Sequence, residues 1–211
     1  DLDSGVLLYA SDVTKSGRRL TQGGEQLSAG TTVVRFTAFR ASRQIETPWA
    51  QQAPPPAALQ ARGFDYRGRL SVRPVATDTP LPFELRYDVT QRGQDWLACK
   101  LVTGDALPGF ETRVRSNHLL TGLWVPPAAG AALQAGQVLD RDPVTKVVVS
   151  VAHTDAEHVV LTHQSPRQEF RLTYRKRDGL LVRGEYVEHL SSVPGGPALR
   201  KVVELELATV R

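Results

Sequence analysis

The stretch that decides the fold lies in the last third of the chain. It reads Phe170-Arg171-Leu172-Thr173-Tyr174-Arg175, the turn Arg177-Asp178-Gly179, Leu181-Val182-Arg183-Gly184-Glu185-Tyr186, and Val203-Glu204-Leu205-Glu206-Leu207. Phe170, Leu172 and Tyr174 alternate with Arg171, Thr173 and Arg175; Val203, Leu205 and Leu207 alternate with Glu204 and Glu206. A period of two puts one residue set on each face of a strand, so these are half-buried antiparallel strands rather than helices. Asp178-Gly179 between two such runs is a hairpin signal. A long meander with one apolar face must curl around a helix, a second sheet or a ligand.

Working outward, the same grammar places C-terminal strands at Val147–His153, His158–His163, Phe170–Arg175, Leu180–Leu190 and Lys201–Val210. Towards the N-terminus it places them at Val6–Asp12, Thr31–Arg40, Phe64–Arg73, Phe83–Val89, Trp96–Val102 and Thr112–Val125, with Gln91–Gln94 as a turn. Glu46–Ala61 is a long loop, because Pro54-Pro55-Pro56 at its centre cannot sit inside a strand or helix. Ala128–Gln134, closed by Gly136, is the one stretch with helix-forming composition. No fixed-period repeat or clear linker divides the chain, and 211 residues suit one all-β domain spanning 1–211. The expected fold is an all-β antiparallel meander, forming a strongly curved half-barrel or an up-and-down barrel with very little helix.

The 41% hydrophobic and 23% charged residues exclude a disordered chain. A net charge of +4 invites a polyanion partner, but Arg greatly outnumbers Lys, Met is absent and Asn117 is the only Asn, a coding bias that itself raises basicity. Cys99 is the single cysteine, which excludes an intrachain disulfide and a cysteine-built zinc site; it reads as a small buried hydrophobe. No apolar run of about 18 residues is present, so no transmembrane segment is expected, and membrane contact is peripheral at most. The chain starts at Asp1 without Met, from which a secreted or periplasmic, cell-envelope location is expected.

Candidate chemistry is sparse. His153 and His158 flank a four-residue loop that holds Asp155 and Glu157, but His163 falls on the opposite face, roughly 16 Å from His158. The pair reads as solvated, and no metal is expected. Asp140-Arg141-Asp142-Pro143 reads as a carboxylate-bearing turn without the glycine and terminal glutamate of a calcium loop. No nucleophile elbow, zinc helix motif or glycine-rich phosphate loop occurs, and His118 is the least easily dismissed catalytic candidate. The expectation is no enzyme, no catalytic residue and no cofactor. Arg67, Arg69 and Arg73, with Arg62 nearby, form a basic strand face, but Phe64 and Tyr66 lie on the other side, so stacking on bases is not offered and no nucleic acid is expected.

The run Phe170–Tyr174, the turn Asp178-Gly179-Leu180, Leu181–Tyr186 and the closing Val203–Leu207 resembles the LolA/LppX-like half-barrels, bacterial envelope lipoprotein carriers, over about the last 75 residues. The resemblance implies a curved sheet around an apolar cavity for acyl chains. This chain departs from it in having too little helix for the usual lid, and no family site residue transfers by position. Combined with the bulky inward set, it gives a ligand-binding expectation at Phe36, Tyr66, Phe83, Tyr87, Phe170, Tyr174 and Tyr186. The expected partner is an apolar small molecule or lipid, or an envelope protein. The alternative is a structural subunit of an envelope assembly that docks through loops and edge strands.

Overall fold

Almost every alternating run becomes a strand in the computed structural model, which describes residues 9–16, 30–37, 49, 52–73, 80–103, 110–115, 122–141, 147–165, 168–190 and 199–211. Contacts gather into two units, Asp1–Arg43 and Gln44–Arg211. In the first, β1 (Tyr9–Ser16) and β2 (Gly30–Thr37) pair antiparallel over eight residues, from Tyr9 opposite Thr37 to Ser16 opposite Gly30.

The second unit holds one antiparallel sheet of ten strands. They are β3 (Gly63–Arg73), β4 (Leu81–Arg92), β5 (Trp96–Thr103), β6 (Phe110–Arg115), β7 (Val138–Arg141), β8 (Val148–Thr154), β9 (His158–Gln164), β10 (Gln168–Arg175), β11 (Leu181–Leu190) and β12 (Leu199–Val210). Their spatial order is β6-β5-β4-β3-β12-β11-β10-β9-β8-β7. The all-β, antiparallel, meandering half-barrel is therefore the fold, and the sheet stays open rather than closing into a barrel.

The meander is not continuous. Strands β3 to β6 form one run of hairpins and β7 to β12 another, and the two are joined where β12 lies against β3, from Arg200 opposite Arg73 to Val210 opposite Phe64. Within the crossover from β6 to β7, the strand expected over Thr112–Val125 is described as strand only as far as Arg115. Beyond Arg115, residues 116–121 lie outside the description, and Leu123, Trp124 and Val125 instead lie against the β10–β11 turn. The Val125 N–H donates to the Gly179 carbonyl, the Leu181 N–H donates to the Leu123 carbonyl, and Trp124 bridges Leu180. Gly179 has φ of 73°, and a Cβ there would strike the Val125 carbonyl, so both the turn and the crossover require glycine.

Two short helices complete the unit. Helix α2 (Pro127–Ala132) matches the helix-forming stretch, and α1 (Pro56–Gln60) rises inside the expected Pro-rich loop. Pro56 opens α1 at its first position, where the missing N–H costs no helical hydrogen bond. Strand β7 was hidden in sequence because four residues carry no readable period; it takes in Asp140 and Arg141, which read as part of a turn in the sequence. The core gathers Trp49, Phe64, Tyr66, Leu97, Leu123, Trp124, Leu161, Leu172, Tyr174 and Leu180 with Ala58 of α1 and Ala129 of α2, all on one face of the sheet. No helix among the described residues is long and apolar enough to cross a membrane.

Candidate functional site

Reading the register across the sheet turns the inner face into successive rows. The lowest holds Phe64 beside Tyr87, and the next holds Leu85, Tyr66 and Leu207, with Leu181, Tyr174 and Val159 continuing it across β11, β10 and β9. A middle row runs Phe83, Gly68, Leu205, Gly184, Leu172, Leu161 and Val151. The upper row runs Leu81, Leu70, Val203, Tyr186, Phe170, His163 and Val149. Above it Val72, Lys201, Glu188 and Gln168 make a mostly polar rim, with Lys201 and Glu188 paired at 3.6 Å.

Within the lower rows Phe64, Tyr66, Leu181, Tyr174 and Val159 are buried, while Tyr87, Leu85 and Leu207 are half-buried and pack against them. Tyr66 and Tyr174 are 2% and 1% exposed, and their hydroxyls donate to the Leu181 and Gly122 carbonyls at 3.1 and 3.0 Å. Tyr87 packs edge-on to Tyr66 with centroids 6.0 Å apart. Burial, joined by the neighbouring tyrosines, pushes the Tyr66 and Tyr174 phenols well above their ordinary value, and burial raises Tyr87 in the same way. These groups stay neutral hydrogen-bond donors at any physiological pH.

The upper row differs. Leu70, Val203, Tyr186 and Phe170 are half-buried and Leu81 is exposed, while His163 and Val149 are buried. Phe170 stacks on His163 at 4.9 Å and meets Tyr186 edge-on at 5.0 Å. Burial raises the Tyr186 phenol to about 12. A small hollow of about 130 Å³ opens among Gln168, Phe170, Tyr186, Glu188, Lys201 and Val203. Over five inter-strand steps of about 4.8 Å, the row from Leu81 to His163 spans roughly 24 Å.

Of the seven expected ligand-binding residues, six belong to the ten-stranded sheet and share its inner face. Tyr66 and Tyr174 are core, Tyr87 and Phe83 pack against the core, and Phe170 and Tyr186 form the half-buried shelf. Phe36 lies in β2 of the first unit, and its side chain falls outside the described residues. Sequence reasoning missed Leu70, Val203 and Lys201 as shelf and rim. The alternation of β12 carries the signal, but an aliphatic side chain such as Val203 does not stand out in sequence as a ring does.

The other constellations resolve simply. A bulge between Val151 and His153 sets His153 opposite Val160 rather than opposite His158. The two imidazoles converge on Asp155 instead, His153 at 3.3 Å and His158 at 3.9 Å. Backbone hydrogen bonds from His158 and Glu157 hold the Asp155 carboxyl below the usual range. Among the described residues no group of three or more His, Cys, Asp or Glu is arranged to hold a metal. Cys99 is buried, and burial raises its thiol to about 11, so it packs as an inert hydrophobe. His118, Asp142 and Pro143 lie outside the described residues.

On the outer face Arg67 stands between Glu84 and Glu206, and Arg69 beside Glu204. Together with Arg183 and Glu185 they border a groove of about 690 Å³ whose signs alternate along the row. Such a face neutralises itself, and it offers a phosphate backbone four carboxylates against three guanidiniums. Comparison with known protein families, curated proteins and solved structures produced no match.

Proposed function

We propose that the chain is a non-enzymatic binding protein that holds an elongated apolar ligand, a lipid or an acyl chain, along the upper row of its inner face. The observation that carries this reading is the contrast within one face. Below, the middle of the face is closed by the buried Tyr66, Leu205, Leu181, Leu172 and Tyr174, whereas along the upper row Leu70, Val203, Tyr186 and Phe170 are half-buried in succession and end at the charged rim of Lys201 and Glu188. An apolar strip of roughly 24 Å with polar groups along one border suits an amphiphile, whose tail lies on the strip and whose head meets the rim. The LolA/LppX-like rhythm of the sequence supports the same ligand class and a location in the cell envelope.

Organic extraction of the purified protein followed by mass spectrometry tests the idea, together with titration by a fluorescent fatty-acid analogue. The expected result is a stoichiometric apolar molecule and saturable binding. Val203→Glu, placed mid-row, should abolish that binding while Leu101→Ala, on β5 outside the row, leaves it intact. Absence of both extracted ligand and saturable probe binding overturns the reading. The second reading, a subunit of an envelope assembly, draws on β6, which ends the ten-stranded sheet among the described residues.

A further inference from the structure

An open sheet ends in two edge strands, each presenting a line of backbone donors and acceptors that can template another strand. Here the two ends are built differently. Strand β7 is four residues long, is bulged between Val138 and Asp140, and turns the Asp140 carboxylate into a buried position. Shortness, a bulge and an inward charge are three devices that discourage further pairing. Strand β6 has none of them. It runs Phe110-Glu111-Thr112-Arg113-Val114-Arg115, pairs with β5 without a register shift, and contains neither proline nor lysine. Among the described residues β5 is its one strand neighbour.

We propose that β6 is a dimerisation edge, pairing antiparallel with β6 of a second copy of this chain about a two-fold axis through Thr112. The register follows from the residues themselves. With the axis at Thr112, Glu111 of each copy faces Arg113 of the other, Phe110 faces Val114, and Thr112 faces Thr112. Opposite charges directly across a ladder are favourable. Moving the axis to Glu111 sets glutamate against glutamate, and moving it to Arg113 sets arginine against arginine. An axis between residues opposes side chains of different faces, which an antiparallel ladder forbids. Glu111 and Arg113 are both exposed, and Arg113 is held on the outer face by its guanidinium lying 4.2 Å over the Trp96 ring. Self-complementarity of one patch is what a two-fold interface needs. The pairing joins two ten-stranded sheets into one, independently of any ligand on the inner face.

Sedimentation velocity on the 211-residue chain, from about 1 μM to about 1 mM, decides the matter. The wild type should show a monomer–dimer equilibrium within that range. Glu111→Arg and Arg113→Glu, each alone, should shift the midpoint at least tenfold towards monomer, because each puts like charges face to face twice. An equimolar mixture of the two variants should restore a dimer, and so should the double swap E111R/R113E. A wild type that stays monomeric throughout, single variants that associate as well as wild type, or a mixture that does not recover overturns the proposal. Rescue by mixing separates pairing from misfolding, since damage to either fold would not be repaired by its partner.

Discussion

The lower and upper rows of the inner face use the same kinds of residue to opposite ends. Below, Tyr66 and Tyr174 are buried in the same core as Trp124 of the crossover, and each tyrosine hydroxyl is fixed to a backbone carbonyl. Above, Tyr186 and Phe170 contact each other and His163 but keep part of their surface open. The difference teaches that alternation in sequence marks which residues share a face, while the connections decide which of them become core. Rings covered by a connection supply stability; rings left partly uncovered are free to contact something else.

The comparison can be broken by truncating one member of each set. Trp124→Ala should cost about 3–5 kcal/mol in denaturant unfolding, whereas Phe170→Ala should cost less than about 2 kcal/mol, since less of its surface is sheltered. Equal losses would show that the upper row is core as well. The seam between crossover and sheet is next in size: Gly179→Ala should destabilise by about 1–3 kcal/mol, because its φ is positive and its new Cβ meets the Val125 carbonyl. Tyr66→Phe removes the hydrogen bond to Leu181 and should cost about 1–2 kcal/mol, while Tyr186→Phe should be nearly neutral in the same assay.

The smallest expected effects come with pH. Tyrosines of the unfolded chain ionise near 10, whereas the folded Tyr186 is held up at about 12. Its contribution is complete below pH 10 and falls as pH rises towards 12, by about 1.4 kcal/mol per pH unit for each such phenol. Alkaline unfolding should therefore begin near pH 10, and Tyr186→Phe should make it less steep. At the acid end Asp178 is subject to burial, which raises it, but hydrogen bonds from Arg175 and the Leu180 N–H bring it below the usual carboxylate range overall. A lowered carboxyl gives stability that is present above its unfolded value near 4 and is lost as pH falls through the folded one. Asp178→Asn should therefore soften the acid limb of a stability profile measured from pH 6 to pH 2.

Much of this architecture was legible. Phe64 and Tyr66 on one face of β3 with Arg67 and Arg69 on the other, and the glycine of the Asp178-Gly179 turn, follow from period and turn chemistry alone. What escaped was long-range. Nothing in the alternation of Val203, Leu205 and Leu207 says that their strand lies against Leu70, Gly68 and Tyr66, because any alternating strand offers the same ladder to any neighbour. Nor did the ring set reveal which members would be sealed, since the covering residues Leu123 and Trp124 come from a segment that itself read as strand. The shelf was visible only in part: Phe170 and Tyr186 announced themselves as aromatics, but Leu70 and Val203 complete the row through register, which sequence does not carry.

The junction of β3 with β12 has a kinetic consequence. Each hairpin run can assemble from near neighbours as it leaves the ribosome, but the inner edge of the first run stays bare until the closing segment has been synthesised and found it. Searching across so long a stretch of chain is slow, and in the meantime β3 shows an unprotected alternating edge. The protein is thus most vulnerable to aggregation while β3 waits for β12, and any condition that delays that docking should lower the yield of native chains more than it lowers their stability.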